Sequence, residues 1–143
     1  MTQDVINHRY QLQDELGSGG MGTVYTAHDR LTGNTVALKQ LLIPVEVLEF
    51  MSMSTSSDIL LSLANEFKMA SSLRHPHIVS VLDYGFSEGQ YPYLVMELLD
   101  DAQPLVAYAR DLPLAEQVNL LLQTLQALAY LHRRGVIHRD LKP

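Results

Sequence analysis

Gly17-Ser18-Gly19-Gly20-Met21-Gly22-Thr23-Val24 is the stretch on which the fold turns. Glycines at 17, 19 and 22 give a G-x-G-x-x-G spacing. With no Cβ, glycine lets a backbone fold tightly and approach a phosphate closely. Taken alone, the pattern also occurs in an ordinary glycine-rich hairpin turn. The flanking residues separate its phosphate-binding versions. In the dinucleotide-binding version the glycines open a helix. Here Thr23-Val24-Tyr25 continues as a strand, and Tyr10 to Leu16 is a loosely alternating run before the glycines. The glycines therefore join two strands.

The same reading extends in both directions. Gly22 to His28 is the hairpin partner of Tyr10 to Leu16. Asp29-Arg30-Leu31-Thr32-Gly33-Asn34 is a turn by composition, and Thr35 to Leu42 is a third strand. Residues 43–57 fit no element cleanly. Pro44, Glu46 and Glu49 lie among apolar residues, and a Ser/Thr cluster follows, so the segment reads as an extra helical turn or a polar surface loop. Its hydroxyls are open to phosphorylation, although a plain polar surface loop accounts for them better. The cluster with Asp58 is a good helix N-terminus. From Ile59 to Leu73, Leu60, Leu63, Phe67, Ala70 and Leu73 fall at helical spacing, and Pro76 follows the end.

Ile78 to Phe86 and Tyr91 to Leu98 form a second strand pair across the turn Ser87-Glu88-Gly89-Gln90. The chain then changes period. Leu105 to Arg110 is a short helix. Leu114 to Arg134 is a long one, with Val118, Leu121, Leu122, Leu125, Leu128 and Leu131 on one face. Positive charge at His132-Arg133-Arg134 suits its C-terminal end, and Gly135 suits the residue just past it. Five strands with one helix after the third, followed by helices, predict an α+β lobe passing into a helical lobe.

Composition narrows the function. The 143 residues carry a formal charge of −6 with ten Lys plus Arg, a poor balance for gripping nucleic-acid phosphates. No cysteine is present, which excludes disulfides and thiolate metal sites and fits a reducing compartment. The six histidines show no HExxH spacing, so no metal site is assigned to these residues. No run of about twenty apolar residues spans a membrane. Met1-Thr2-Gln3-Asp4 lacks the basic-then-apolar pattern of a signal peptide.

Two further constellations carry chemistry. Val36-Ala37-Leu38-Lys39 puts a lysine in an apolar strand, seventeen positions beyond Gly22. Such a lysine is commonly a surface charge. Behind a glycine hairpin it can reach under the loop and neutralise phosphate oxygens. Glu66, in the helix between the strands, is either a solvated helix charge or the carboxylate that holds Lys39. His138-Arg139-Asp140-Leu141-Lys142-Pro143 ends the chain. Asp140 can accept a proton from an attacking hydroxyl, and Lys142 can touch the same phosphate.

In this order the motifs resemble those of the protein kinases, over essentially all of Tyr10 to Pro143. Gly-Ser-Gly-Gly-Met-Gly-Thr-Val-Tyr resembles bacterial serine/threonine kinases of the eukaryotic type, and Leu141-Lys142-Pro143 resembles serine/threonine rather than tyrosine kinases. Leu38 stands where the family motif has Ile, a change that conserves volume. The resemblance implies a kinase-like fold: a five-stranded antiparallel lobe and hinge over residues 10–99, then the start of the helical lobe over 100–143.

The same resemblance assigns roles. Gly17, Ser18, Gly19, Gly20, Met21 and Gly22 would cover the phosphates of ATP. Leu16, Val24 and Ala37 would roof the adenine. Met96 would be the gatekeeper, and the backbones of Glu97 and Leu99 would hydrogen-bond the base. Lys39 would bind phosphate and pair with Glu66. Asp140 would be the base, with Lys142 beside it, and Arg139 points to control by a phosphorylated loop. The partners implied are ATP and a protein substrate, in the cytoplasm, with a downstream membrane anchor left open.

The family's Mg²⁺ ligands, an Asn five residues beyond Asp140 and the Asp of D-F-G, would lie past Pro143. The chain by itself is therefore expected to transfer no phosphate, and the Val118–Leu131 stripe to be exposed. A nucleotide-binding interaction module with a kinase-like fold is the alternative. Retention of Lys39, Glu66 and Asp140 weighs against it. A small-molecule kinase ranks below both.

Overall fold

The computed structural model describes residues 4–20, 22–41, 56–87, 91–138 and 141–142, and the side chains of 56–60 are outside that description. The readings made for residues 1–3, Met21, most of 43–57, the turn at 88–90, and Arg139, Asp140 and Pro143 therefore fall outside the described residues. The chain divides into two compact units, Met1–Leu73 with Ser80–Leu98, and Arg74–Val79 with Leu99–Pro143.

The first unit is built on an antiparallel sheet. Its strands are β1 (Val5–Ile6), β2 (Tyr10–Gly19), β3 (Gly22–Asp29), β4 (Thr35–Leu41), β5 (Val81–Phe86) and β6 (Pro92–Met96), in the order β1-β2-β3-β4-β6-β5. The five strands read from the sequence are all present, and β1 is an addition. It exists because Asn7 and His8 take positive φ (49° and 57°), which turns the chain back so that Arg9 N–H donates to the Ile6 carbonyl at 3.0 Å. That left-handed pair is the backbone of a tight hairpin, and Asn tolerates it better than most residues. β5 begins at Val81 rather than Ile78, since Ile78 N–H is spent on a turn back to the His75 carbonyl.

The register sorts side chains onto two faces, because directly paired residues point the same way. One face carries Ala27 and Val36 on one rung, and Tyr25, Leu38 and Val95 on the next. Ile6, Tyr10, Ala27, Val36, Leu38, Tyr93 and Val95 form the buried core there, and Leu38 and Ala27 are wholly inaccessible to solvent. The opposite face carries the site described below.

Polar side chains tie the two ends of the strand order together. Arg9, in the turn just before β2, donates through Nε and Nη2 to the two carboxylate oxygens of Asp29 on β3 (2.8 Å each) and through Nη1 to Asp83 on β5 (2.9 Å). Tyr10 Oη donates to the same Asp83 oxygen at 2.5 Å. Asn7 Nδ2 reaches the Phe86 carbonyl and Tyr93 Oη, both at 3.0 Å. Since β1 and β5 are the opposite edges of the order, these bonds require the sheet to curl. Tyr93 lies across Gly85, its direct partner, where a Cβ would stand 2.7 Å from the phenol oxygen.

A helix α1 (Ser56–Ser72) joins this unit by packing on β5, where Phe67 and Tyr84 rings stand 5.7 Å apart. The second unit holds α2 (Leu105–Ala109) and α3 (Leu114–Arg133). Segment 74–79 is fastened to α3 through Tyr130. Its hydroxyl accepts the Arg74 N–H at 2.9 Å, and its ring meets His75 at 5.1 Å and the Arg134 guanidinium at 4.8 Å. Gly135 takes φ 75° and closes the C-terminus of α3 as read. Ala127 and Leu131 are buried, whereas Val118, Leu121, Leu122 and Leu125 of the stripe are exposed.

Candidate functional site

On the face opposite the core, one rung runs Gly17–Val24–Lys39–Leu94–Tyr84 across five strands. The next runs Thr26–Ala37–Met96–Val81. Five residues picked out by motif, from three separate stretches of sequence, thus occupy two adjacent rungs of one surface: Gly17, Val24, Ala37, Lys39 and Met96. Val24, Lys39 and Met96 are half-buried and Ala37 is buried.

β2 reaches this face by two bulges. Leu12 pairs with Ala27, Glu15 with Tyr25, and Gly17 with Val24, so five steps along β2 match three along β3. Gln13 and Asp14 oppose Thr26, and Leu16 is the extra residue between Glu15 and Gly17. One bulge alone would turn every later side chain to the other face; two restore the alternation and bend the strand. Leu16, read as part of the adenine roof, is 54% exposed in the second bulge.

The glycines divide by what the fold asks of them. Gly22 has φ 152°, and a Cβ there would drive into the Gln40 carbonyl oxygen and stand 3.1 Å from Leu41 Cα. It is needed for β3 to lie against β4. At Gly17, Gly19 and Gly20 a Cβ would meet nothing within 4 Å. Ser18, paired with Thr23 beside them, is exposed. Packing gives no reason for glycine at those three positions, and open space above a lysine-bearing face suits a polyphosphate.

Lys39 is flanked on its rung by Val24 and Leu94, and among the described residues no carboxylate lies within ion-pair distance of it. Glu66 is exposed on α1 and is not joined to Lys39 in this structure. Glu97 N–H donates to the Ser80 carbonyl at 3.0 Å. Leu99 belongs to the second unit, where Lys142 is exposed. Among the described residues no group of three His, Asp or Glu could hold a metal ion, and no helix is long and apolar enough to cross a membrane.

The groups held furthest from ordinary titration lie on the core face and escaped motif reading. Hydrogen bonds from Arg9, with help from Leu31 N–H and Thr32 Oγ1, hold the Asp29 carboxyl well below the usual carboxylate range. Arg9 is pushed up in turn, chiefly by Asp29. Burial, then the bond to Asp83, pushes the Tyr10 phenol up, and burial does the same to Tyr93. These are structural groups. The only sequence signal among them was Asp29, which opened the predicted turn and does cap it.

A curled antiparallel sheet with a glycine hairpin, a strand lysine on the glycine face and a helix after the third of the long strands has the arrangement of the N-terminal lobe of a kinase fold. Residues 10–143 match the protein kinase domain family, and the chain belongs to it. It is 34% identical over 147 residues to the serine/threonine-protein kinase PknB of Mycobacterium leprae, spanning 99% of this chain and 22% of that protein. It is 34% identical to PrkC of Bacillus subtilis, spanning 96% of this chain and 20% of the relative. PknA of Mycobacterium tuberculosis is 37% identical, with 96% and 32% covered. The crystal structure of the M. tuberculosis PknI kinase domain superposes with a TM-score of 0.73 at 27% identity, covering all of this chain and 55% of that one. The chain thus spans between a fifth and a third of the curated relatives named here.

Proposed function

We propose that the chain carries the ATP-binding part of a protein serine/threonine kinase, with residues 10–99 as nucleotide lobe and hinge and 100–143 as the start of the substrate lobe. The observation that supports this most is the pair of rungs that gathers Gly17, Val24, Lys39, Ala37 and Met96 on one face. The adenine ring lies under Leu16, Val24 and Ala37, with Met96 behind it and the backbones of Glu97 and Leu99 at its edge. Backbone N–H groups of Gly17, Ser18, Gly19, Gly20, Met21 and Gly22 cover the phosphates. Lys39 neutralises the α- and β-phosphates, and Glu66 steadies it when α1 moves in.

In transfer, a substrate Ser or Thr hydroxyl oxygen attacks the γ-phosphorus. The bond to the bridging oxygen breaks toward ADP, and the hydroxyl proton passes to Asp140, with Lys142 beside the moving phosphoryl. Mg²⁺ would supply charge neutralisation, held by the family's Asn and D-F-G Asp; the present sequence contains no D-F-G. In this reading the ATP-using part of the protein is cytoplasmic.

Calorimetric titration of the 143-residue chain with ATP tests the proposal. Micromolar-to-millimolar binding that Lys39→Met weakens at least about tenfold is the expected result. Failure of the wild-type chain to bind ATP, with the sheet intact by circular dichroism, would overturn it. Phosphate incorporation by this polypeptide that Lys39→Met abolishes would overturn its expected inactivity.

A further inference from the structure

Thr26 belongs to no motif, yet it occupies a decisive place in the sheet. It stands alone on β3 opposite Gln13 and Asp14, the two residues of the first β2 bulge. A bulge leaves backbone groups without ladder partners. Here the Thr26 hydroxyl replaces them: Oγ1 accepts the Asp14 N–H at 3.0 Å and donates to the Asp14 carbonyl at 3.3 Å. A side chain with one donor and one acceptor on the same atom is what this gap requires. Serine provides it and valine, of nearly the same shape, does not.

The bulge matters beyond itself. Three residues further on, Gly17 enters the rung that carries Lys39. With five steps of β2 spent against three of β3, the face presented by residues 15–19 depends on both extra residues staying where they are. If the first bulge is lost, the glycine strand is displaced by a residue and its alternation reverses. The second bulge has no such stitch: among the described residues no side-chain hydrogen bond joins Leu16 to β3. The register of the glycine hairpin is therefore pinned at Thr26.

We propose that Thr26 is a positioning residue for the glycine hairpin, setting how its backbone meets the phosphates of the bound nucleotide. The inference rests on the ATP-binding reading above. It makes a distinction that general destabilisation does not. Of the adenine-contacting residues, Val24, Ala37 and Met96 lie on β3, β4 and β6, where the register is continuous, and Leu16 alone lies on the displaced stretch, so loss of the stitch falls chiefly on the phosphate end of the ligand.

The experiment compares wild type, Thr26→Val and Thr26→Ser as 143-residue chains in three measurements: ATP affinity, adenosine affinity, and amide hydrogen exchange over residues 13–19 without ligand. Thr26→Val is expected to lose about three- to tenfold in ATP affinity, the scale of one or two exposed hydrogen bonds. Adenosine affinity stays within about twofold, exchange over 13–19 quickens, and Thr26→Ser recovers the wild-type values. Unchanged ATP affinity in Thr26→Val overturns the inference, and so does a parallel loss for ATP and adenosine. If wild type binds neither ligand, the ATP reading falls; the exchange data then decide the positioning role separately, and equal exchange in wild type and Thr26→Val removes it.

Discussion

Asp29→Asn is the substitution whose cost can be worked most closely. The Asp29 side chain is 4% exposed. Its Oδ1 accepts from Arg9 Nε and Leu31 N–H, and its Oδ2 from Arg9 Nη2 and Thr32 Oγ1. Asparagine keeps the shape. With its carbonyl at the Oδ1 position it retains the Arg9 Nε and Leu31 bonds. Thr32 can turn its hydroxyl round and accept from the new amide. Arg9 Nη2 then faces an N–H, so one charge-assisted bond and the net charge attraction are lost. A hydrogen bond to a charged group contributes about 1.5–3 kcal/mol. The upper end applies to fully buried pairs. Arg9 is 32% exposed, and water can take up the released donor. About 2 kcal/mol remains, which for a unit of this size lowers Tm by roughly 10 °C.

The pH dependence gives the sign. The folded pKa of Asp29 lies below the unfolded value of about 3.9, so its stabilisation is complete above about pH 5 and is lost as pH falls toward the folded value. Below pH 4 the wild type should lose its lead over Asp29→Asn at up to about 1.4 kcal/mol per pH unit, so the two converge near pH 2.5. Urea unfolding followed by circular dichroism from pH 7 to 2.5 measures both quantities. Stabilities within about 0.5 kcal/mol at pH 7, or a gap that does not shrink with acid, would refute the reasoning.

Two other substitutions separate roles within the fold. Gly22→Ala forces a Cβ against the Gln40 carbonyl and should cost about 2–4 kcal/mol, while Gly19→Ala, in open space, should leave the melting curve within about 0.5 kcal/mol and weaken ATP binding instead. Equal melting curves for the two would remove the division of labour among the glycines. Tyr130→Phe deletes the acceptor for Arg74 N–H and should speed amide exchange over residues 74–79 with a loss of about 1 kcal/mol; unchanged exchange there would show that stacking with His75 and Arg134 holds the segment unaided.

Local chemistry made most of the sheet legible. Loose alternation marked β2, the glycines pointed to β3 as its hairpin partner, a Val-, Ala- and Leu-rich run marked β4, the Asp29–Asn34 turn announced itself by composition, and Gly135 ended α3 where glycine is favoured. Residues that act through distant partners gave no such signal. Nothing in Asn7-His8-Arg9 shows that Arg9 will meet Asp83, because only the curl of the sheet brings positions 74 apart in sequence together. Gly85 looked like any strand glycine until Tyr93 was found lying over it. The bulges in β2 were invisible for a related reason. Alternation with two residues inserted ends in the phase in which it began, so the sequence pattern carried no break at Gln13-Asp14 or Leu16.

The expected pairing of Lys39 with Glu66 shows what a motif can and cannot carry. Lys39, Leu94 and Tyr84 share one rung, and Tyr84 is the residue against which Phe67 packs. α1 therefore lies on the same face as the lysine, two strands away, with Glu66 next to Phe67 in sequence and about 100° round the helix. Strands stand about 4.8 Å apart, so the two charged side chains start from positions separated by roughly twice that spacing, before their own lengths are counted. A slide of α1 by about one strand toward β6, with a part-turn about its axis, is enough to bring carboxylate and ammonium together. Helical periodicity could place Glu66 on the right element, and strand register could place Lys39 on the right face. The position of one element over the other is set by Phe67 on Tyr84, a contact between apolar residues that belongs to neither motif. Replacing Phe67 with Leu, which keeps the helix but loosens its seat on β5, should therefore change ATP affinity in proportion to Lys39–Glu66 pairing. No change in the Lys39→Met effect between the Phe67→Leu and wild-type backgrounds would separate α1 from the site altogether.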